Sequence, residues 1–288
     1  MLDANIRFAD LLVFIENNLD SQLDTETLSG VVNLSKYHFH RQCKAAWGTS
    51  IYSVIKLLRM KRAAYLLAYR NDYNVLNIAL MSGFDSHEAF SRSFKKIFGI
   101  SPRAFRLAPD RTPWHKQYEP IIQLRNKIMS SNKTYEVDIV DFPALPLAVL
   151  EHQGAPSKLG STIRKFIQWR KENGLPPTKE RTFNLLYNDP NEVDPNNYRF
   201  DVCCSFNGEI QTDEYGIIKK SIEAGKCAVV RHVGSDDTIG QKVEYLYSSW
   251  LKEFDSRLRD FPLFFERVSF FPEVPESEMI TDVYLPII

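Results

Sequence analysis

The feature that most restricts what this chain can fold into is a stretch written twice. Shifted by 51 positions, Ser35, Phe39, Arg41, Lys44, Gly48 and Ser50 fall on Ser86, Phe90, Arg92, Lys95, Gly99 and Ser101. Cys43 and Trp47 fall on Phe94 and Phe98, so two further slots keep their apolar character. Coincidences of this number at one offset identify a duplicated unit, and a duplication decides architecture before any local reading does. Each copy reads as a short helix, a tight turn and a second helix opened by Ser35 or Ser86. A serine hydroxyl there can accept a hydrogen bond from the unpaired amides of the first turn. Behind each serine, apolar residues take one face and basic residues another. This is the pattern of a helix-turn-helix whose second helix enters the major groove of DNA.

The surrounding sequence supplies the rest of such a domain. Ile6, Ala9, Leu12, Val13 and Leu19 recur at helical spacing, with Glu16 as the one interruption on that face. Asp24 can cap the next helix, which leads over Thr27–Val32 to a turn at Asn33 and Leu34. A long amphipathic helix over 52–67, carrying Lys56, Arg59, Lys61 and Arg62, lies between the copies. Asn74 starts the second unit, Gly83 sits where the turn wants a positive φ, and Ser101-Pro102 opens a last helix through Phe105 and Arg106. Pro109, Pro113 and Pro120 then mark a linker over 109–133, with a short helix over 121–129.

At these residues the chain resembles a known family. IALMSGFDSHEAFSRSFKKIFGISPRAFR looks like the signature of the AraC/XylS-type transcription regulators, and LSKYHFHRQCKAAWGTS looks like their first helix-turn-helix. The resemblance covers about residues 5–107 and departs at Ser29, where the family usually has alanine, and at Cys43, usually phenylalanine. Base edges are read from the start of a groove helix, on one face. Those side chains are Tyr37, His40 and Arg41 in the first helix and His87, Glu88, Ser91 and Arg92 in the second. Lys36, Lys44, Lys95 and Lys96 are placed for phosphates. The family carries its base contacts at the matching positions, and arginine suits the paired acceptors of guanine. Phe39, Phe90, Phe94 and Phe98 read as core. Two tethered recognition helices imply that one chain occupies double-stranded DNA as a monomer.

Charge agrees with this division. The formal net charge is +0, yet residues 1–133 hold 19 Lys+Arg against 11 Asp+Glu and residues 134–288 hold 17 against 25. A basic half joined to an acidic half means that the first half approaches the polyanion. No signal peptide or membrane-spanning run is visible. Cys43, Cys203, Cys204 and Cys227 show no CxxC spacing and the adjacent pair makes a poor disulfide, so a reduced cytoplasmic setting is expected. The six histidines add no metal signature, and nothing signals a cofactor. His38 and His40, two apart, point away from each other on a helix.

Residues 134–288 also echo themselves. Strands are expected at 135–140 and 147–152, then His152-Gln153-Gly154, a helix over 157–173, and strands at 183–187 and 200–204. The second pass gives strands at 217–222 and 228–232, His232-Val233-Gly234, a helix over 237–254, and strands at 264–270 and 281–286. Asp201-Val202 and Asp282-Val283 close the two copies alike. Two ββαββ units make an antiparallel sheet with helices on one side and a cleft at the pseudo-twofold axis. The expected fold is therefore an all-α double helix-turn-helix domain over 1–108 followed, after the linker, by an α+β domain over 134–288 of two repeated units.

YNDPNEVDPNNYRFDVCCSF, GKCAVVRHVG and TDVYLPI resemble the GyrI-like effector-binding domain, the ligand half of several multidrug-type regulators. With the head described above this gives a Rob-like architecture. In that family a strand glutamate near the C-terminus faces the central cleft, and the match here is Glu266 in FFERVSF. A carboxylate among rings can pair with a cationic, amphipathic small molecule. Tyr187, Phe206, Tyr247, Trp250 and Phe264 are the candidate walls. Arg267 should point to the opposite face of the strand and leave Glu266 uncompensated. The reading is a regulator and not an enzyme. Two rivals stand beside it. Some GyrI-like proteins resemble hydrolases of strained electrophiles that use a glutamate with a tyrosine; alternatively, the tail contacts a protein such as RNA polymerase.

Overall fold

The computed structural model describes residues 2–110, 112–129, 134–190, 192–210, 214–254 and 256–288, and its side chains outside 1–6, 111–116 and 127–133. Ile6 and Pro113, named above, lie outside the described side chains, as do the last linker residues, 130–133. Two compact units result, one built on Met1–Lys133 and one on Thr134–Val274 with Glu278–Ile288.

The first unit contains α1 (Leu2–Asn17), α2 (Thr25–Val31), α3 (Lys36–Trp47), α4 (Ile51–Tyr69), α5 (Val75–Met81), α6 (His87–Phe98), α7 (Pro102–Leu107) and α8 (Thr112–Met129). The caps follow the sequence: Asp24 accepts from the Thr27 amide at 2.8 Å, Asn74 from Asn77 at 2.8 Å and Ser101 from Ala104 at 3.2 Å. Gly48 and Gly99 close α3 and α6 in the left-handed conformation. The expected apolar face of α1 is rotated. Phe8, Leu11, Leu12, Ile15 and Leu19 are buried, whereas Val13 is exposed. Phe94 stacks on Phe98 at 4.2 Å and both meet Phe105 edge-on, which seats α6 on α7. The departures at Ser29 and Cys43 are absorbed: the buried Ser29 hydroxyl donates to the Glu26 carbonyl at 3.1 Å, and Cys43 is fully buried.

The region expected as a linker with a short helix is instead a helix from Thr112 to Met129, with Pro120 inside it. It packs on α1, α4 and α6. Tyr118, Ile121 and Leu124 are buried, and so is Arg125, whose Nη2 donates to Glu16 Oε1 at 2.6 Å and Nη1 to the Tyr118 hydroxyl at 2.6 Å. The acid that interrupts the α1 face therefore meets a base that interrupts the α8 face. Burial pushes the Glu16 carboxyl above its ordinary value, with the guanidinium working against it.

The second unit is one eight-stranded sheet with every pairing antiparallel. Its strands are β1 (Asp138–Phe142), β2 (Leu145–Gln153), β3 (Thr182–Leu186), β4 (Arg199–Ser205), β5 (Ile218–Ile222), β6 (Gly225–Val233), β7 (Leu263–Arg267) and β8 (Ile280–Pro286). Their order is β1-β6-β8-β7-β3-β4-β2-β5. The expected repeat is present, but its edge strands are exchanged: β1 pairs with β6 and β5 with β2. α9 (Leu159–Glu172) packs on β2 and β4, and α10 (Ile239–Tyr245) on β6. α10 continues through a π-helical turn, Leu246–Trp250, into Leu251–Glu253.

Alternation along each strand separates two faces. The helix-covered face buries Phe166, Trp169, Phe200 and Cys204 in one half and Leu246, Trp250, Phe265 and Val283 in the other. The helix-free face buries Phe142, Leu147, Val149, Phe183, Leu185, Cys203, Phe264 and Tyr284 in one cluster. Cys203 and Cys204 thus point to opposite faces, and all four cysteines are free and buried. Burial pushes the Cys204 thiol up to about 11 and the Cys43 thiol up to about 12.

Candidate DNA interface and ligand face

The two recognition helices present polar faces that match at Arg41 with Arg92 and at Lys44 with Lys95. Lys36, Tyr37, His40, Arg41 and Lys44 on α3 are exposed, as are His87, Glu88, Arg92, Lys95 and Lys96 on α6, while Ser91 is half-buried. Their openings differ from the expectation. Ser86 accepts from the Ala89 amide at 3.2 Å, but Ser35 makes no side-chain cap bond. Tyr37 is 78% exposed, with the Lys36 ammonium 5.6 Å from its ring centre. His40 is braced rather than free: its Nε2 lies 3.2 Å from Thr25 Oγ1, which in turn meets the Tyr52 hydroxyl at 2.8 Å. At the equivalent place Ser91 Oγ lies 3.5 Å from His87 Nε2. Arg41 and Arg92 form no ion pair or hydrogen bond among the described residues. Each keeps a charged five-donor fork in water, the group that matches paired acceptors. Arg59, by contrast, is spent on structure, donating to the carbonyls of Leu19 at 2.9 Å and Ser21 at 2.7 Å.

In the sheet unit the expected ring set is divided. Glu266 and Phe264 alternate onto the helix-free face, and Tyr187 packs against the same cluster. Trp250 and Phe206 pack on the helix-covered face, beneath α10 and α9. They cannot share a site with Glu266, because the thickness of the sheet lies between them. Tyr247 sits on the π turn with 41% of its surface exposed, also in the helix layer. Phe264 is fully buried and stacked on Tyr284 at 4.9 Å, so it forms floor and not wall. Phe142, from the edge strand β1, closes over the middle, 5.1 Å from Phe264 and 5.2 Å from Tyr284. Phe142, Phe264 and Tyr284 thus pack as one ring cluster on this face.

A polar rim surrounds that floor. Arg267 does point to the other face, where it donates to Asn184 Oδ1 at 2.9 Å and to Asp236 at 2.5 Å. Glu266 is nonetheless compensated, contrary to the sequence argument. Arg181 grips it with Nε to Oε1 at 2.6 Å and Nη2 to Oε2 at 2.7 Å, and the Tyr284 hydroxyl donates to Oε2 at 3.2 Å. Next to it on β8, Asp282 accepts both bonds of an Arg231 fork at 2.7 Å. In the other half, Asp201 accepts from Lys220 at 2.6 Å and from the Tyr187 hydroxyl at 2.8 Å, with Arg199 4.4 Å from the Tyr187 ring centre. Sequence reasoning missed Arg181, Tyr284, Lys220 and Arg231. The paired aspartates were the available signal, since an acid repeated inside two apolar strands needs a partner on the same face.

Among the described residues no cluster of His, Cys, Asp or Glu could hold a metal, and no helix is long and apolar enough to cross a membrane.

Comparison with known proteins agrees with both units. Residues 135–288 match the GyrI-like small molecule binding domain and residues 28–108 match a helix-turn-helix domain. The chain is 37% identical over 158 residues to the probable transcriptional regulator YgiV of Escherichia coli (strain K12), covering 54% of this chain and 99% of that protein. It is 41% identical over 93 residues to the uncharacterized HTH-type transcriptional regulator YbfP of Bacillus subtilis (strain 168), or 32% of this chain and 31% of YbfP. It is also 34% identical over 101 residues to the right origin-binding protein of Escherichia coli (strain K12), 35% of each chain. The chain thus belongs to the GyrI-like small-molecule-binding family, carries an AraC-type helix-turn-helix domain ahead of that fold, and is a DNA-binding transcriptional regulator.

Proposed function

We propose that one chain reads two successive major grooves with α3 and α6, and that an amphipathic, cationic small molecule bound on the helix-free sheet face modulates that binding. The observation that carries the DNA half is the pair Arg41 and Arg92, at equivalent positions of two recognition helices, both exposed and both unengaged. Arg41 and Arg92 read base edges, flanked by Tyr37 and His40 on α3 and by His87, Glu88 and Ser91 on α6. Lys36, Lys44, Lys95 and Lys96 meet phosphates. Selection of bound DNA from a random pool by the full chain should return a site of about 20 base pairs, two helical turns, occupied by one chain. On that site Arg41→Ala and Arg92→Ala should each cost about 1–3 kcal/mol and relax specificity at one position. Lys95→Ala should weaken all sequences alike and flatten the salt dependence. Equal losses for all three variants on specific and random DNA would overturn the assignment, and an obligatory dimer on a half-site would overturn the stoichiometry.

For the effector, support comes from Glu266 at the rim of the ring floor formed by Phe142, Phe183, Phe264 and Tyr284. Charge beside ring area is what an amphipathic cation requires. One observation favours hydrolysis as a second reading: the Tyr284 hydroxyl stands beside the Glu266 carboxylate. Burial, and then the Glu266 charge, push the Tyr284 phenol above its ordinary value, so it stays protonated at neutral pH and keeps its O–H to donate. Turnover of a strained electrophile by the full chain, lost in Tyr284→Phe, would favour the hydrolase. Saturable binding without turnover favours the sensor.

A further inference from the structure

We propose that Arg181 is a resident counter-cation that occupies the Glu266 seat in the free protein and sets which ligands the domain accepts. A cation must displace this guanidinium, and only one that brings ring area as well as charge does so. The inference rests on the reading of Glu266 as the ligand's charge partner.

Four observations converge on Arg181. First, its backbone is held independently of its guanidinium. Its amide donates to Ser205 Oγ at 2.9 Å and its carbonyl accepts from the Ser205 amide at 2.9 Å, so the backbone is pinned to the end of β4. Second, the guanidinium already makes the contacts expected of a cationic ligand. It holds both oxygens of Glu266 and lies 5.0 Å from the Phe183 ring centre and 5.6 Å from that of Phe142. Third, it is the outer partner. The Glu266 side chain is 13% exposed and that of Arg181 is 43% exposed, so solvent reaches the carboxylate past the arginine. Fourth, the neighbouring carboxylates have cations of their own: Arg231 for Asp282 and Lys220 for Asp201. Arg181 is dedicated to Glu266.

The exposure of the pair decides that it can open. Glu16 and Arg125 are 6% and 5% exposed, and separating them would strand two charges away from water. Arg181 instead swings a flexible stem into solvent and leaves a carboxylate that keeps some exposure and the Tyr284 hydrogen bond, so opening costs less than it would for the buried pair. The bidentate fork adds enough to keep the closed form dominant. A closed-to-open ratio of about nine to one lowers the apparent affinity for any competing cation about tenfold. Small hydrated cations gain nothing over the arginine they replace. A flat aromatic cation gains contact with the rim as well, so the arrangement filters for amphipathic ligands.

The test uses the full chain and two probes of like shape, the 10-methylacridinium cation and neutral 10-methylacridone, followed by fluorescence anisotropy. Arg181→Ala should bind the acridinium about tenfold tighter than the wild type. Arg181→Lys should fall between them, because lysine keeps the charge and loses the fork. Acridone affinity should be the same in all three, and Glu266→Gln should bind the acridinium more weakly than the wild type. Arg181→Lys decides the matter where Arg181→Ala does not fold. Acridinium affinity that is unchanged or reduced in the Arg181 variants, yet still lost in Glu266→Gln, overturns the proposal and spares the Glu266 reading. Acridinium binding that is absent throughout, or indifferent to Glu266→Gln, overturns that reading and the proposal with it.

Discussion

In the helical unit, α3 and α6 keep Arg41 in register with Arg92 and Lys44 with Lys95, while the turns before them differ. In the sheet, β4 and β8 keep Asp201 in register with Asp282, while β3 and β7 part company at Leu185 and Glu266. The two duplications therefore preserve different things. In the helical unit the arginine and one lysine of the polar face are copied, while the connecting backbone varies. Glu266 lies on β7 at the seam between the two repeats of the sheet. The scaffold on either side is copied, and the position facing the axis carries a carboxylate in only one copy.

The turns give the largest expected effect. α2 and α5 start 50 residues apart, α3 and α6 51 apart, so the second turn is one residue longer. The hydrogen bonds show where the registers match: the Leu34 amide donates to Ser29 O and the Phe84 amide to Ala79 O, both at 3.0 Å. Asn33, at φ 52°, thus does in the first turn what Gly83, at φ 71°, does in the second. Asparagine tolerates that conformation, and Asn33 is exposed. A Cβ on Gly83 would fall on the Leu19 carbonyl and on the Arg59 guanidinium that binds it. Gly83→Ala should cost about 3 kcal/mol, combining the left-handed penalty with overpacking. Asn33→Ala should cost about 1 kcal/mol, the conformational part alone. Urea unfolding of the full chain followed by the helical signal measures both. Equal losses would break the contrast between the two turns.

The aspartates come next. Asp201 is 1% exposed and its Lys220 partner 23%, whereas Asp282 is 10% exposed and its Arg231 partner 59%. Removing Asp201 leaves a partly buried ammonium with Glu151 and the Tyr187 hydroxyl, and Asp201→Ala should cost about 2 kcal/mol. Asp282→Ala leaves an arginine already in water and should cost about 1 kcal/mol or less. Tryptophan fluorescence in urea, sensitive to Trp169 and Trp250 in this unit, gives the comparison. The reverse order of losses would mean that the two halves do not divide their burial as described.

How much of this was legible depends on range. Local alternation places Glu266 with Phe264 and sends Arg267 to the other face, and all eight strands follow from the same period. The partner of Glu266 is a long-range fact. Arg181 is 85 residues away and just outside β3, where no period assigns a face. The exchange of β1 and β5 between the repeats is likewise invisible, since equal copies can pair within or across. Alternation lets only some of the five candidate rings share the face of Glu266, and aromatic content alone does not say which: Trp250 and Phe206 lie in the helix layer. α8 was hidden by its prolines, yet Tyr118, Ile121, Leu124 and Arg125 share one helical face. A lone acid on the α1 face and a lone base on that face of α8 were the clue that both elements pack together.

The smallest expected effect separates the two histidines that end β2 and β6. His152 has partners at both ring nitrogens, Thr162 Oγ1 at 2.8 Å from Nδ1 and the Gly154 carbonyl at 3.2 Å from Nε2. His232 is fully buried and donates from Nε2 to the Ser235 carbonyl at 2.9 Å, while its Nδ1 is buried without a partner. The position of Thr162 is taken in the second repeat by Lys242, and Arg267 adds a second cation, with Asp236 the opposing charge. Protonating Nδ1 would bury a donor with no acceptor. Burial accordingly holds the His232 pKa below its ordinary 6.5, with Lys242 and Arg267 pushing the same way. The sign follows from proton counts. As pH falls through the unfolded value, the unfolded chain takes up a proton that the folded chain refuses, so this stability is present above about pH 6.5 and is lost progressively below it. His232→Gln keeps a donor for the Ser235 carbonyl and removes the titration. Urea midpoints of the full chain between pH 7.5 and pH 5 should therefore fall more steeply for the wild type than for His232→Gln. Parallel profiles would mean that His232 takes its proton as readily folded as unfolded, and that the unpartnered nitrogen does not distinguish the second repeat from the first.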